Sequence, residues 1–145
     1  MSDLDGLYQD VIMDHSRRPH HRGLLEHPAA ESHQVNPTCG DEITLRLHTD
    51  GAGITGVSWE GHGCAISQAS ASLLSDLVVD TDVDQTRRRI AAFRELMRSK
   101  GELEGDEELL GDAIVLSGVS RYVARVKCAM LPWVALEDAL LRVEG

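Results

Sequence analysis

The chemistry of this chain centres on its three cysteines, Cys39, Cys64 and Cys128. Their odd number, together with an acidic N-terminus that has no export signal, indicates a reducing compartment, where structural disulfides are rare. In such a compartment, thiols are kept for metal binding or for reaction. We therefore expect a cytoplasmic protein in which thiol chemistry or metal binding is the leading function.

Each cysteine is predicted at a junction between elements of secondary structure. Cys39 lies between a proline and a glycine that force a loop just before a strand. Cys64 follows a Gly-rich strand exit, and Cys128 precedes Pro132, so both are predicted at helix starts. Loops and helix N-termini allow side chains to converge, and the partial positive charge of a helix N-terminus favours thiolate over thiol.

Asp41, two residues after Cys39, adds a carboxylate to the three thiols. Zinc favours a shell of three thiolates and one carboxylate, and the same soft ligands could instead hold an iron-sulfur cluster. The sequence contains no CxxC pair, so from spacing alone three separately packed cysteines are the favoured interpretation. The residues by themselves leave all three interpretations open.

The apolar pattern predicts one α+β domain over residues 1–145, with helices packed on one side of a small antiparallel sheet. Alternation with a period of two predicts strands over 41–49 and 54–60, joined by a turn at 50–53. A shorter strand over 33–36 would make the sheet three-stranded.

Helical spacing of apolar residues predicts the elements around this sheet. The predicted helices are residues 4–14, a helix beginning near Cys64, a helix that Asp82 or Asp84 opens and Gly101 ends, and a helical region over 120–143 that is interrupted near Cys128. The acidic stretch 102–108 is predicted to be an exposed connection.

The net charge of -10 repels a phosphate backbone, so we expect no nucleic-acid partner. No apolar run approaches the ~18 residues needed to span a bilayer, so we expect no membrane segment. The loop after the first helix combines arginines with His20 and His21. This loop could dock a partner, or it could be a solvated segment.

Four motifs resemble SufU, a branch of the superfamily of IscU-type scaffolds and NifU N-terminal domains. The motifs are YQDVIMDH at 8–15, NPTCGD at 36–41, GHGCAIS at 61–67 and VKCA at 126–129. They occur in order over nearly the whole chain, which is far more specific than any one of them. The resemblance makes separate packing of the cysteines the weaker interpretation.

Two departures from the plain IscU pattern favour the SufU branch. Lys127 stands where an IscU-type scaffold has a histidine immediately before the third cysteine. The long segment between Cys64 and Cys128, which includes residues 87–105, looks like the SufU insertion. Both departures favour a zinc-dependent sulfur carrier over a cluster scaffold.

The resemblance implies a zinc site of Cys39, Asp41, Cys64 and Cys128, with Cys39 as the residue that receives sulfur. The implied activity is that of a zinc-dependent sulfurtransferase in iron-sulfur cluster assembly. The implied donor is a pyridoxal-phosphate cysteine desulfurase of the SufS type, and a cluster scaffold or a reductant would take the sulfur onward.

Two alternatives keep the same ligands. One is a scaffold that builds a [2Fe-2S] cluster on these cysteines, and the other is a non-catalytic interaction module that zinc stabilises. Arg125 and Lys127 flank Cys128 and would oppose the negative charge of a trithiolate site, so we expect them to support it from outside the ligand shell.

Overall fold

The computed structural model describes residues 3–51 and 53–144, so Ala52 of the predicted turn lies outside the described residues. The elements in chain order are α1 (Asp3–Arg17), β1 (Ala30–Asn36), β2 (Asp41–Asp50), β3 (Gly53–His62), α2 (Ala65–Leu77), β4 (Thr81–Asp82), α3 (Val83–Arg98), α4 (Glu107–Leu110), a 3₁₀ helix (Gly111–Arg121) and α5 (Val123–Glu144). The α+β fold class predicted from the sequence is confirmed.

The sheet is antiparallel throughout, with strand order β1-β2-β3-β4. On β2 the apolar residues Ile43, Leu45 and Leu47 are buried, and they alternate with more exposed polar residues, as period two requires. The prediction of three strands is wrong, because β4 pairs with the start of β3 as a fourth strand. A strand of two residues is too short to produce an alternating pattern.

Helices cover the sheet and surround one hydrophobic core. Helix α5 packs against β1 and β2, and α2 packs against α5 and α1. The rings of Phe93 and Trp133 stack with centroids 4.1 Å apart, and both side chains are fully buried. This packing holds α3 against α5.

The predicted interruption near Cys128 is wrong, because α5 runs unbroken from Val123 to Glu144 with Pro132 inside it. Cys128 therefore lies in the second turn of the helix and not at its start. Pro132 lacks only the N–H that would reach the Cys128 carbonyl. Trp133 and Leu136 are fully buried in the hydrophobic core. Their burial favours continuation of the helix past the proline.

The other helix predictions are confirmed near their expected positions. Helix α2 begins directly after Cys64, and Asp82 caps α3 by accepting a hydrogen bond from the Gln85 N–H at 2.7 Å. The stretch 102–108 is exposed as predicted, although its last two residues begin α4. Within the described part of the chain, no helix combines the length and hydrophobicity needed to cross a membrane.

Candidate metal centre

The turn between β1 and β2 presents Cys39 at its tip. Asn36 and Asp41 pair across the two strands and close the turn. The Gly40 N–H donates to the Asn36 carbonyl at 2.8 Å, and the Thr38 N–H donates to Asn36 Oδ1 at 3.2 Å. Gly40 has φ +76°, a conformation that favours glycine. This turn leaves the Cys39 thiol exposed.

Asp41 is the fully buried centre of the site. Its Oδ2 accepts from the Cys39 thiol at 3.0 Å and lies 3.8 Å from the Cys64 sulfur. Its Oδ1 accepts from the backbone N–H of Cys64 at 2.8 Å. The carboxylate therefore ties the start of β2 to the start of α2.

Cys64 is the N-cap residue of α2, and its side chain makes no capping hydrogen bond. The sulfur is half-buried and remains free to bind a ligand. Gly63 precedes it with φ +155°, and a Cβ at this position would collide with the Asp41 carboxylate. Glycine at position 63 is thus required for the close approach of the β3-α2 connection to Asp41.

Cys128 reaches the same place from α5. Its sulfur lies 3.5 Å from the Cys39 sulfur, and the residue is 2% exposed. One ligand atom each from Cys39, Asp41 and Cys128 lie within 4.8 Å of one another. Cys64 joins this group through its contacts with Asp41. Three of the four residues that the resemblance implied thus lie in one group, and Cys64 lies beside it.

The electrostatics of the site depend on burial and on contacts among the four residues. Burial raises the pKa of the Cys128 thiol, and the neighbouring Asp41, Cys39 and Cys64 raise it further. Burial alone would also raise the pKa of Asp41. Hydrogen bonds from the cysteine thiols and from the Cys64 N–H outweigh that effect and hold the Asp41 pKa below its usual value.

The donor set fits a bound cation. A buried carboxylate needs a compensating partner, and among the described residues no Lys, Arg or His forms an ion pair with Asp41. Thiols surround the carboxylate instead. Soft sulfur ligands with one carboxylate suit zinc, and the sulfurs also suit an iron-sulfur cluster.

The basic residues beside Cys128 lie outside this donor group. Arg125 and Lys127 are both exposed, and in the described chain neither side chain hydrogen-bonds to the cysteines. Arg125 lines a groove of about 450 Å³ with Tyr122 and Ile66, next to the start of α2. Their expected influence on the thiolates would therefore act through charge and not through contact.

Sequence reasoning missed two features. The first is the requirement for glycine at position 63, which the motif at 61–67 could have indicated. The second is another group of potential metal ligands, His15, His20 and Asp76, whose atoms lie within 4.8 Å of one another. Asp76 is 56 residues from His20, and no spacing rule connects residues that far apart.

Comparisons with known proteins show which family the chain resembles in sequence. Residues 7–129 match the family described as NifU-like N terminal domain. The chain is 39% identical to the zinc-dependent sulfurtransferase SufU of Bacillus subtilis, covering 99% of this chain and 96% of that protein. It is 38% identical to the iron-sulfur cluster assembly scaffold protein IscU of Streptococcus pyogenes, covering 98% and 87%.

A solved structure shows the same fold. The putative SUF-system scaffold protein FiSufU of Fervidobacterium islandicum superimposes with a TM-score of 0.83 at 37% identity. The match covers 90% of this chain and 94% of that one. The sequence comparisons and the structural comparison therefore find similarity to the same kinds of protein, SufU and IscU.

Proposed function

Because the chain belongs to the family of NifU-like N-terminal domains, which includes SufU and IscU proteins of iron-sulfur cluster assembly, we propose that it accepts sulfur on Cys39 and passes it on. The observation that carries this proposal is the contrast among the three thiols. Cys39 is exposed at the tip of a turn, Cys64 is half-buried and Cys128 is buried. A sulfur donor can reach the first without moving the helices that hold the others.

We propose zinc as the bound metal, and Cys39, Asp41, Cys64 and Cys128 would hold it. Bound zinc would keep the thiols deprotonated and would shield them from unwanted reaction until a partner arrives. The name of the Bacillus subtilis relative, a zinc-dependent sulfurtransferase, supports the same choice. Lys127 is exposed and offers no further ligand where an IscU-type scaffold has a histidine.

The transfer step requires a persulfide on the donor. The Cys39 thiolate attacks the outer sulfur of that persulfide, a new S–S bond forms on Cys39, and the donor's S–S bond breaks. The donor cysteine leaves as a thiolate, so electrons balance without an added oxidant or reductant. Among the described residues, the Cys39 thiol contacts Asp41 Oδ2 and the Cys128 sulfur, and Cys39 can leave both without displacement of a helix.

A cysteine desulfurase is the proposed donor, since the exchange requires a persulfide and such an enzyme carries one. We propose a pyridoxal-phosphate enzyme of the SufS type as that protein, and a cluster scaffold or a reductant as the next acceptor. Arg125 and Lys127 are exposed and flank Cys128 in the sequence, and we propose that their positive charges attract an acidic surface on the donor. Location in the cytoplasm stays a prediction.

The test compares three variants after incubation with a SufS-type desulfurase and cysteine. Intact mass should show one added sulfur on the unaltered chain and none on Cys39→Ser, which we expect to keep part of its zinc through Asp41, Cys64 and Cys128. Cys64→Ser and Cys128→Ser should lose zinc and stability together. Sulfur gain by Cys39→Ser at the unaltered rate would show that Cys39 is not the acceptor.

A second candidate function is assembly of a [2Fe-2S] cluster on the same cysteines. The observation that favours it is the 38% identity to a relative named as a cluster assembly scaffold.

A non-catalytic, zinc-stabilised interaction module is the third candidate. The sulfur-gain measurement separates that module from the carrier, because the module would bind zinc and never acquire a persulfide.

A further inference from the structure

A second group of potential metal ligands lies at the opposite end of α2 from the thiols. Asp76 is the last residue but one of α2, and Cys64 directly precedes the first residue of the helix. At 1.5 Å per residue, the two ends are about 18 Å apart. His15 comes from the last turn of α1, and His20 comes from the loop that follows it. One ligand atom from each of His15, His20 and Asp76 lies within 4.8 Å of the others.

The backbone of His20 is fixed on both sides. Its N–H donates to Ser72 Oγ at 2.8 Å, while its carbonyl accepts from Trp59 Nε1 at 2.9 Å and from Ser75 Oγ at 3.2 Å. The following residues pair with β3, since the Gly23 N–H donates to the Trp59 carbonyl at 2.7 Å. These hydrogen bonds tie the loop to α2 and β3, although residues 20–27 are exposed to solvent, as a solvated loop would be.

His15 is oriented by Ser72 as well. Its Nδ1 lies 2.7 Å from Ser72 Oγ, and the side chain is buried against α2. When Nδ1 donates its proton to Ser72, the lone pair of Nε2 is free. Burial, and then the neighbouring His20, lower the pKa of His15. Burial thus favours the neutral imidazole, which is the form that binds metals.

The remaining contacts involve His20 and Asp76. His20 Nδ1 lies 2.6 Å from Asp76 Oδ2, within hydrogen-bond distance, and the rings of His15 and His20 are 4.6 Å apart between centroids. His21 Nε2 also approaches Asp76 Oδ1, at 3.2 Å. Two imidazoles and a carboxylate from three separate segments converge on one point.

We propose that His15, His20 and Asp76 form a second metal site, which binds a first-row transition metal ion such as Zn²⁺ and is separate from the thiol centre. Imidazole ligands select such ions over magnesium and calcium. Tetrahedral zinc needs ligand atoms about 3.3 Å apart, so the ion would replace the proton between His20 and Asp76 with a small outward shift. A water molecule would occupy the fourth position.

The site would connect α1, the loop and α2 through one ion. Because each ligand belongs to a different segment, binding should restrain the end of α1 against α2. The site has two nitrogens and one oxygen and lacks thiolates, so it should bind zinc more weakly than the thiol centre. We expect it to fill only after that centre is saturated.

The test is a calorimetric titration of the untagged full chain with Zn²⁺, after the thiol centre has been loaded with zinc and excess metal removed. The unaltered chain should bind one further ion. The variants His20→Gln and Asp76→Asn should bind none at the same concentrations. Imidazole ¹⁵N signals of His15 and His20 should shift during the titration, while those of His33 and His48, which do not contact Asp76, should not.

His33→Gln is the matched control. His33 is as exposed as His20, with side-chain values of 50% and 51%, and it likewise pairs with a carboxylate, Glu42, at 2.9 Å. His62 Nε2 also lies 3.4 Å from Glu42 Oε2, but within the described chain the ligand atoms of these three residues do not all lie within 4.8 Å of one another. His33→Gln should keep the further ion.

Absence of a further ion in the unaltered chain, or its persistence in His20→Gln, would overturn the proposal. Loss in His33→Gln alone would also overturn it, because the ion would then be adventitious. Circular dichroism confirms that each variant is folded, and the exposed His20 makes His20→Gln tolerable to the fold. Sulfur gain on Cys39 should be unchanged in His20→Gln, so failure of this site and failure of the sulfur-carrier function are distinguishable.

Discussion

The sulfur atoms of Cys39 and Cys128 lie 3.5 Å apart, although 89 residues separate them in the chain. One sulfur belongs to an exposed turn of the sheet and the other to a buried position in α5. The contact joins an exposed turn to a buried position in a helix. It also leaves the metal-free chain with two thiols close enough to react with each other.

We expect mild oxidation of the metal-free chain to join Cys39 to Cys128. A disulfide needs sulfur atoms about 2.05 Å apart, and a small movement of the exposed turn supplies the difference. Each thiol gives up one hydrogen to an added oxidant such as diamide. Peptide mapping without reductant should find the pair Cys39–Cys128 and a free Cys64, and zinc-loaded protein should resist the reaction. A predominant Cys39–Cys64 pair would contradict the geometry of the site.

We expect anaerobically purified protein to be colourless and to retain about one zinc at the thiol centre, because three thiolates and a carboxylate complete a tetrahedral shell. Elemental analysis and the visible spectrum measure this. Brown protein with iron and acid-labile sulfide would favour the cluster scaffold instead. Removing the zinc should lower the melting temperature, since the ligands come from a turn, a helix start and a second helix.

We expect Gly63→Ala to damage the site. The added Cβ would collide with the Asp41 carboxylate and would lie 2.8 Å from Ser67 Oγ. The variant should lose zinc. Its free energy of unfolding should fall by about 1–3 kcal/mol, which is the usual cost of local backbone strain. Gly56→Ala is the matched control, because its Cβ would meet nothing within 4 Å. Equal zinc content in both variants would show that the close approach of position 63 to Asp41 is unimportant.

We expect Ser70→Ala to destabilise the part of α5 that carries Cys128. The buried Ser70 hydroxyl donates to the Ala129 carbonyl at 2.6 Å and accepts from Trp133 Nε1 at 3.0 Å. Removing it leaves buried polar groups without partners, which costs about 1–3 kcal/mol. Urea denaturation measures the loss. Ser16→Ala, which removes an exposed hydroxyl, should change stability by less than about 0.5 kcal/mol.

The amino-acid sequence by itself determined the local features. Alternation of Ile43, Leu45 and Leu47 with polar residues was sufficient to predict β2, because side chains of a strand face opposite sides in turn. The loop that presents Cys39 and the start of α2 after Cys64 followed from glycine, proline and apolar spacing. Family motifs identified Asp41 as the fourth member of the site.

The tertiary structure decided what local rules do not reach. Pro132 predicted a break in α5, but burial of Trp133 on the same helix outweighs the one lost hydrogen bond. The pairing of β4 and the meeting of His20 with Asp76 depend on contacts between residues far apart in the chain. Propensity and periodicity act over a few residues, whereas such contacts are set by how whole elements pack.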